Sequence, residues 1–161
     1  MRRPFFRLKD DLGFCSNFSK HPVTIFGKTW PTSEHAYQAS KFLDPKIQGW
    51  IFAAPTPREA ANIGRNPINF IRRDWEDPDP KPLPPAIERL KDRAMYRVVK
   101  AKFEQHSDIR EQLLATGDDY IVEDTARSGD AYWGETSEGV GLNRLGHIVM
   151  LIRSELRNAL D

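Results

Sequence analysis

Apolar and polar positions alternate in the first third of the chain. Val23-Thr24-Ile25-Phe26 is β-branched and aromatic, Gly27-Lys28 offers a turn and Thr29-Trp30 resumes the pattern. Residues 14–31 are therefore expected as short extended pieces closing in a small hairpin. Beyond Pro31 the period changes. Thr32 is placed to cap a helix running through Ser33 to Phe42, with Asp44-Pro45 as its end. Thr56-Pro57-Arg58-Glu59 sets a capping-box pair around a first-turn proline and predicts a short second helix, with Gly64 as C-cap.

The longest helical stripe is Ile87, Leu90, Ala94, Met95, Val98 and Val99, which predicts a helix over Ala86–Phe103. Ahead of it, Asp77–Pro85 carries five prolines and is expected as a stiff, exposed connector. Ser107 is placed to cap a helix to about Ala115 that ends at Gly117, and Tyr120-Ile121-Val122-Glu123 is expected as a strand. After a long glycine-bearing loop, Asn143 is expected to cap a last helix with the stripe Leu145, Ile148, Val149, Ile152 and Leu156. The sum is an α+β domain, predominantly helical, with about five helices and a few short strands.

Composition narrows the class. The 161 residues are 39% hydrophobic, with nine Phe, four Trp and four Tyr, too rich in core formers for a disordered chain. The length suits a single domain over 1–161. A net charge of +1 argues against bulk polycationic binding to nucleic acid, but it leaves room for a local basic patch. One cysteine, Cys15, excludes an internal disulfide framework and a multi-thiolate zinc site, and a cytoplasmic setting is expected. No signal-peptide core follows the basic start, and the Ile148–Ile152 run is far short of the ~20 residues that cross a bilayer.

Familiar motifs fail on spacing. Gly27-Lys28-Thr29 copies the end of a phosphate-binding loop, but Pro22 stands where its first glycine belongs. Gly139-Val140-Gly141 opens like a dinucleotide fingerprint, yet Arg144 occupies the third glycine position. The four histidines lack metal-ligand spacing, so neither a metal nor a cofactor is expected.

Three features carry chemistry. Glu34, Gln38 and Lys41 stand at i, i+4 and i+7, so a carboxylate, an amide and an amine share one helix face; plain surface is the alternative. Asp130-Ala131-Tyr132-Trp133-Gly134 places an acid and two large aromatics on a loop, either for a ligand or to anchor the loop. Arg72-Arg73-Asp74-Trp75 sets an aromatic ring beside positive charge. The Ala86–Phe103 helix adds a basic face of Arg89, Lys91, Arg93, Arg97, Lys100 and Lys102 against Glu88 and Asp92, for solvent or for phosphate.

Phe14-Cys15-Ser16-Asn17-Phe18, the run Gly27–His35, Gln38-Ala39-Ser40-Lys41-Phe42, Lys102-Phe103, Asp130–Gly134 and Gly141–Gly146 together resemble the NADAR, or YbiA-like, family from about Phe14 to Leu156. Asp77–Pro85 has no match, and Ala36 stands where many members carry an aromatic. The resemblance implies an N-glycosidase, acting either on ribosylaminopyrimidine 5′-phosphates of riboflavin synthesis or on ADP-ribosylated guanine, free or in DNA. It implies a site at Glu34, Trp75, Asp130 and Trp133, with Lys41 as a further candidate.

Breaking an N-glycosidic bond builds positive charge on the sugar and needs a carboxylate, a proton for the leaving nitrogen and a nucleophile. On that reading Glu34 is the ionised carboxylate, because a helix N-terminus favours negative charge. Asp130 orients the ribose or relays protons, and Lys41 either holds phosphate or attacks the opened sugar. Trp75, Trp133 and Tyr132 contact the base, and Gln38 and Asn143 are further substrate contacts. Arg72 and Arg73, or the basic helix face, take the phosphate. The rival is a module that binds ADP-ribose or a nucleotide without hydrolysing it.

Overall fold

The computed structural model describes residues 1–136 and 139–160. Its strands are β1 (Arg2–Phe5), β2 (Val23–Ile25), β3 (Lys28–Trp30), β4 (Pro78–Leu83), β5 (Ile87–Arg89) and β6 (Tyr120–Glu123). Its helices are α1 (Ser33–Ser40), α2 (Pro45–Ala53), α3 (Pro57–Arg65), α4 (Leu90–Gln105), α5 (Ser107–Ala115) and α6 (Arg144–Asn158), and a 3-10 turn covers Gly13–Cys15. The strands form three separate pairs: β2–β3 and β4–β5 antiparallel, β1–β6 parallel. Among the described residues no helix is long and apolar enough to cross a membrane.

α4 is the spine. Met95, Val98, Val99 and Phe103 bury its inner face, and α1, β2, α5 and α6 all pack against it. α6 lays Leu145, Ile148, Val149 and Ile152 against α4 and β6. α1, α2 and α3 pack on one another, and Ile51, Ala60 and Phe42 close that half of the core. Two of the three helix caps in this half were expected at Thr32 and Thr56, whose hydroxyls accept from the backbone N–H of His35 and Glu59.

The expected elements are present, with corrections at their boundaries; Ser107, expected as a cap, is instead the first residue of α5, behind His106. Asp44-Pro45 does not merely end a helix; Asp44 accepts from the N–H of Lys46 with Pro45 in the first turn, and so it opens α2, which the sequence reading lacked. The long helix starts at Leu90, because Ile87–Arg89 pairs with the proline-rich segment as β5; the expected connector is an edge strand, the sheet position that tolerates proline. The hairpin turn is Phe26-Gly27, both at positive φ (53° and 74°), and Lys28 already belongs to β3. Finally, α3 runs through Gly64 and is capped by Asn66. β1 also went unseen, since its partner β6 lies far along the chain.

Two buried polar residues shape the loops. Lys102, fully buried, donates its ammonium to Phe14 O (2.8 Å), Ser16 O (3.1 Å) and Ser19 Oγ (3.3 Å). It is therefore not part of a solvated basic face. Asn143 stands at the N-cap of α6 but in the left-handed region (φ 45°) and makes no cap bond. Its side chain instead accepts from Glu123 N (3.0 Å) and donates to Ile121 O (2.9 Å), fastening α6 to β6.

Candidate active site

α1 enters the molecule so deeply that Ser33 to Ala39 are all buried, which places Glu34 and Gln38 away from bulk water. Gln38 Nε2 donates to Glu34 Oε1 at 2.6 Å, one helical turn away. Space for that amide comes from Gly64 of α3, where an added Cβ would stand 2.0 Å from Gln38 Oε1. Gly64 is thus a close-approach residue. Burial raises the Glu34 carboxyl above its ordinary value, although Gln38, Arg65 and Lys41 pull the other way. The expectation of a carboxyl lowered by the helix N-terminus is overturned: desolvation outweighs the dipole.

Lys41 follows at the end of α1, with its ammonium 5.5 Å from the centre of the Tyr37 ring. Desolvation brings its pKa from 10.5 down to about 8, helped by Arg65 and Lys91 and opposed by Glu34. A lysine so perturbed is partly a free amine near neutrality, the state in which it is a nucleophile. Tyr37, buried as expected of a core aromatic, sits between Trp75 (centroids 5.6 Å) and Trp133 (5.6 Å). Trp75 is itself almost fully buried, whereas Trp133 is half-buried.

The loop after β6 brings the second acid. Asp130 Oδ1 accepts from the backbone N–H of Tyr132 (3.0 Å) and Trp133 (2.9 Å), so one oxygen of this carboxylate shapes the turn that presents Trp133. The Tyr132 hydroxyl donates to buried Asp92 at 2.6 Å, and the Lys91 ammonium lies 3.7 Å from its ring centre. Asp92 Oδ2 accepts from the N–H groups of Glu88 and Arg89, so the loop is tied to the start of α4.

A third carboxyl belongs to this cluster and was absent from the sequence reading. Glu123 ends β6 with Oε2 buried and without a hydrogen-bond partner. Burial pushes its pKa up to about 8, and the nearby charges of Asp130 and Glu34 push the same way. Its signal was available: residues two apart on a strand share a face, and Ile121 faces the core. Arg65, exposed at the end of α3, acts electrostatically on Glu34, Lys41 and Glu123 alike and also went unnoticed.

The structure thus brings Glu34, Gln38, Lys41, Asp130, Tyr132 and Trp133 into one neighbourhood, with Trp75 behind Tyr37. It separates the others. Arg72 is forked onto Asp74 (2.6 Å twice) and lines a different groove, Arg73 borders a shallow hollow with Phe70, and Asn143 is fully buried against β6. Of the expected basic face, Arg89 at the end of β5 and Lys91 of α4 pair with Glu76, Arg93 with Asp79 and Lys100 with Glu155. Among the described residues no group of three His, Cys, Asp or Glu side chains is arranged to hold a metal ion.

Known proteins match the chain over nearly its whole length. The NADAR domain model covers residues 5–157. An N-glycosidase YbiA of Shigella boydii is 42% identical over 152 residues, 94% of this chain and 86% of that protein. A riboflavin biosynthesis protein of Vibrio vulnificus is 35% identical over 95% of this chain, which spans 38% of it. The NMR structure of Escherichia coli YbiA superposes with a TM-score of 0.81 at 40% identity, covering 99% of this chain and 88% of that one. With the fold, the motifs and the whole-length identity in agreement, the chain belongs to the NADAR family as a relative of the YbiA N-glycosidases.

Proposed function

We propose that this enzyme hydrolyses the N-glycosidic bond of a phosphorylated ribosylamine, a ribosylaminopyrimidine 5′-phosphate of the kind met in riboflavin synthesis. The observation that carries the proposal is the convergence of three acids in different environments with one lysine of lowered pKa. Glu34 and Glu123 are pushed up by burial, while Glu34 alone holds an amide donor and two nearby cations. The donor on Glu34 favours its charged form and the unpartnered Oε2 of Glu123 does not, which divides the two roles. The riboflavin-linked name of the Vibrio vulnificus relative supports the substrate class.

In the mechanism, the bond between C1 of ribose and the base nitrogen breaks as a water oxygen bonds to C1. The leaving nitrogen gains a proton and the water loses one, so the sum is addition of H2O across the bond. Glu123, protonated below about pH 8, is the proton source; Glu34, steadied by Gln38, Lys41 and Arg65, faces the cationic sugar. Asp130 orients the ribose hydroxyls with its second oxygen, and Trp133 stacks on the base. Arg65 takes the 5′-phosphate, the task the sequence had assigned to Arg72, Arg73 or α4. Lys41 either reinforces that phosphate site or adds to C1 of the ring-opened sugar, forming an imine with loss of water.

The test is chromatography with mass detection on the purified enzyme, incubated separately with a ribosylaminopyrimidine 5′-phosphate and with ADP-ribosylated guanine. Release of ribose 5-phosphate from the first alone is expected. Release of ADP-ribose from the second alone would move the enzyme to base de-modification, and binding without turnover of either would make it a recognition module. Borohydride in the reaction separates the roles of Lys41: a sugar adduct on the protein requires the imine, and its absence leaves the phosphate role.

A further inference from the structure

A concavity lies away from the carboxylates. It has a volume of about 460 Å³ and is bounded by the β2–β3 hairpin, the C-terminal end of α1 and the outer face of α4. Its apolar walls come chiefly from Phe26, Trp30, Phe42 and Trp75. α1 contributes Ala39 and Ser40, not Glu34, Gln38 or Lys41; Ser40 is two residues beyond Gln38, about 200° around the helix. Trp75 is the shared wall, since its ring packs on Tyr37 of the catalytic cluster.

Charge in this groove is one-sided. Among the described residues Lys28, Arg72, Arg93 and Arg97 line it, and no acidic residue does. Arg72 and Arg93 are matched by Asp74 and Asp79. Among the described residues Lys28 and Arg97 have no carboxylate partner, and they lie instead over aromatic rings: Lys28 at 5.3 Å from Phe52 and 5.7 Å from Trp30, Arg97 at 4.9 Å from Phe26. Two unmatched cations held beside flat apolar walls suit an anion attached to a planar ring.

Phe26 supplies an independent sign. It occupies the first turn position of the hairpin at φ 53°, where asparagine, aspartate or glycine is favoured and a bulky side chain is strained. The residue is 41% exposed, so core packing does not explain the strain. The strain holds an aromatic face at the mouth of the groove, under Arg97.

We propose that this groove is a second ligand site, separate from the glycosidase centre, for a small planar aromatic molecule bearing a phosphate. The volume lies in the range of small-molecule pockets. The ring lies between Phe26, Trp30 and Trp75, and the phosphate meets Lys28 and Arg97.

Calorimetric titration of the whole protein with 1-naphthyl phosphate, 1-naphthol and inorganic phosphate tests it. Saturable binding of 1-naphthyl phosphate is expected, at least about tenfold tighter than either of the others. Lys28→Ala and Arg97→Ala, both exposed positions, should each weaken it several-fold and leave N-glycosidic turnover unchanged; Glu34→Gln should leave it intact. Equal binding of 1-naphthol, no binding at all, or binding lost in Glu34→Gln and kept in Arg97→Ala would each overturn the proposal. Self-association abolished by Arg97→Ala would also overturn it, because a second copy of the chain would then cover the groove. The titration needs no turnover, so its failure and that of the proposed activity are separable.

Discussion

Gly64→Ala isolates the link between helix packing and the catalytic carboxyl. Gly64 lies within α3 at an ordinary helical backbone, so alanine there gains about 1 kcal/mol of helix propensity. The added methyl, however, would stand 2.0 Å from Gln38 Oε1, 2.8 Å from its Cδ and 3.1 Å from its Cβ, inside a packed interface. Gln38 must then swing away from Glu34, and a hydrogen bond to a carboxylate, with a net value of about 1.5–3 kcal/mol, is lost. The balance is a destabilisation of about 0.5–2 kcal/mol, or roughly 1–8 °C in Tm at this chain length. Turnover should fall by at least about tenfold as Glu34 loses its orientation.

The decisive assay is a double-mutant cycle with Gln38→Ala, read by thermal unfolding. With the amide removed, only the 3.1 Å approach to the residue-38 Cβ remains, so Gly64→Ala should destabilise clearly less than in the parent, or stabilise by at most the helix term. Equal effects in both backgrounds, or a Gly64→Ala enzyme that is more stable than the parent and fully active, would refute the packing argument.

Further outcomes follow from the same geometry. Glu34→Gln should lower kcat by about 10²-fold or more while calorimetry shows substrate still bound; loss of binding alone would count against catalysis. If Glu123 donates the proton, turnover should fall as pH rises through about 8, and Glu123→Gln should flatten that limb of the profile. Lys102 titrates at about 8 in the folded protein against an ordinary 10.5. The unfolded chain therefore binds more protons between those values, and stability should rise with pH across that window. Denaturant titrations of Lys102→Met should lack this increment relative to the parent. Tyr132→Phe should free the loop from Asp92 and raise KM more than it lowers kcat, a split that steady-state kinetics reads directly.

Local signals carried the reading where the determinants were local. Thr32, Thr56 and the α6 stripe located helices because capping and period act within a few residues. Asp44-Pro45 was ambiguous, since the same pair can follow one helix and begin another. β1 depended on a partner far along the chain, whereas β4–β5 is a local pair masked by its prolines, and it moved the start of α4 with it. The face bearing Glu34, Gln38 and Lys41 was visible from spacing, but its burial was not, and burial reverses the expected shift of Glu34. Strand spacing puts Glu123 on the same face as Ile121, but that this face meets the loop carrying Asp130 is a tertiary relation outside the reach of local spacing.

α4 is clamped to distant segments by charge as well as by apolar contact. Near one end Asp92 holds Tyr132; three turns on, Lys102 gathers the carbonyls of Phe14 and Ser16. Apolar core positions accept substitutions of similar volume, whereas an orphaned buried acceptor has no near substitute. Variation among working versions of this enzyme should therefore concentrate in the aliphatic contacts of α4 and spare these two positions. A library randomised along the helix would show it as two silent columns among permissive neighbours, and selection for fold alone would reveal them without any assay of chemistry.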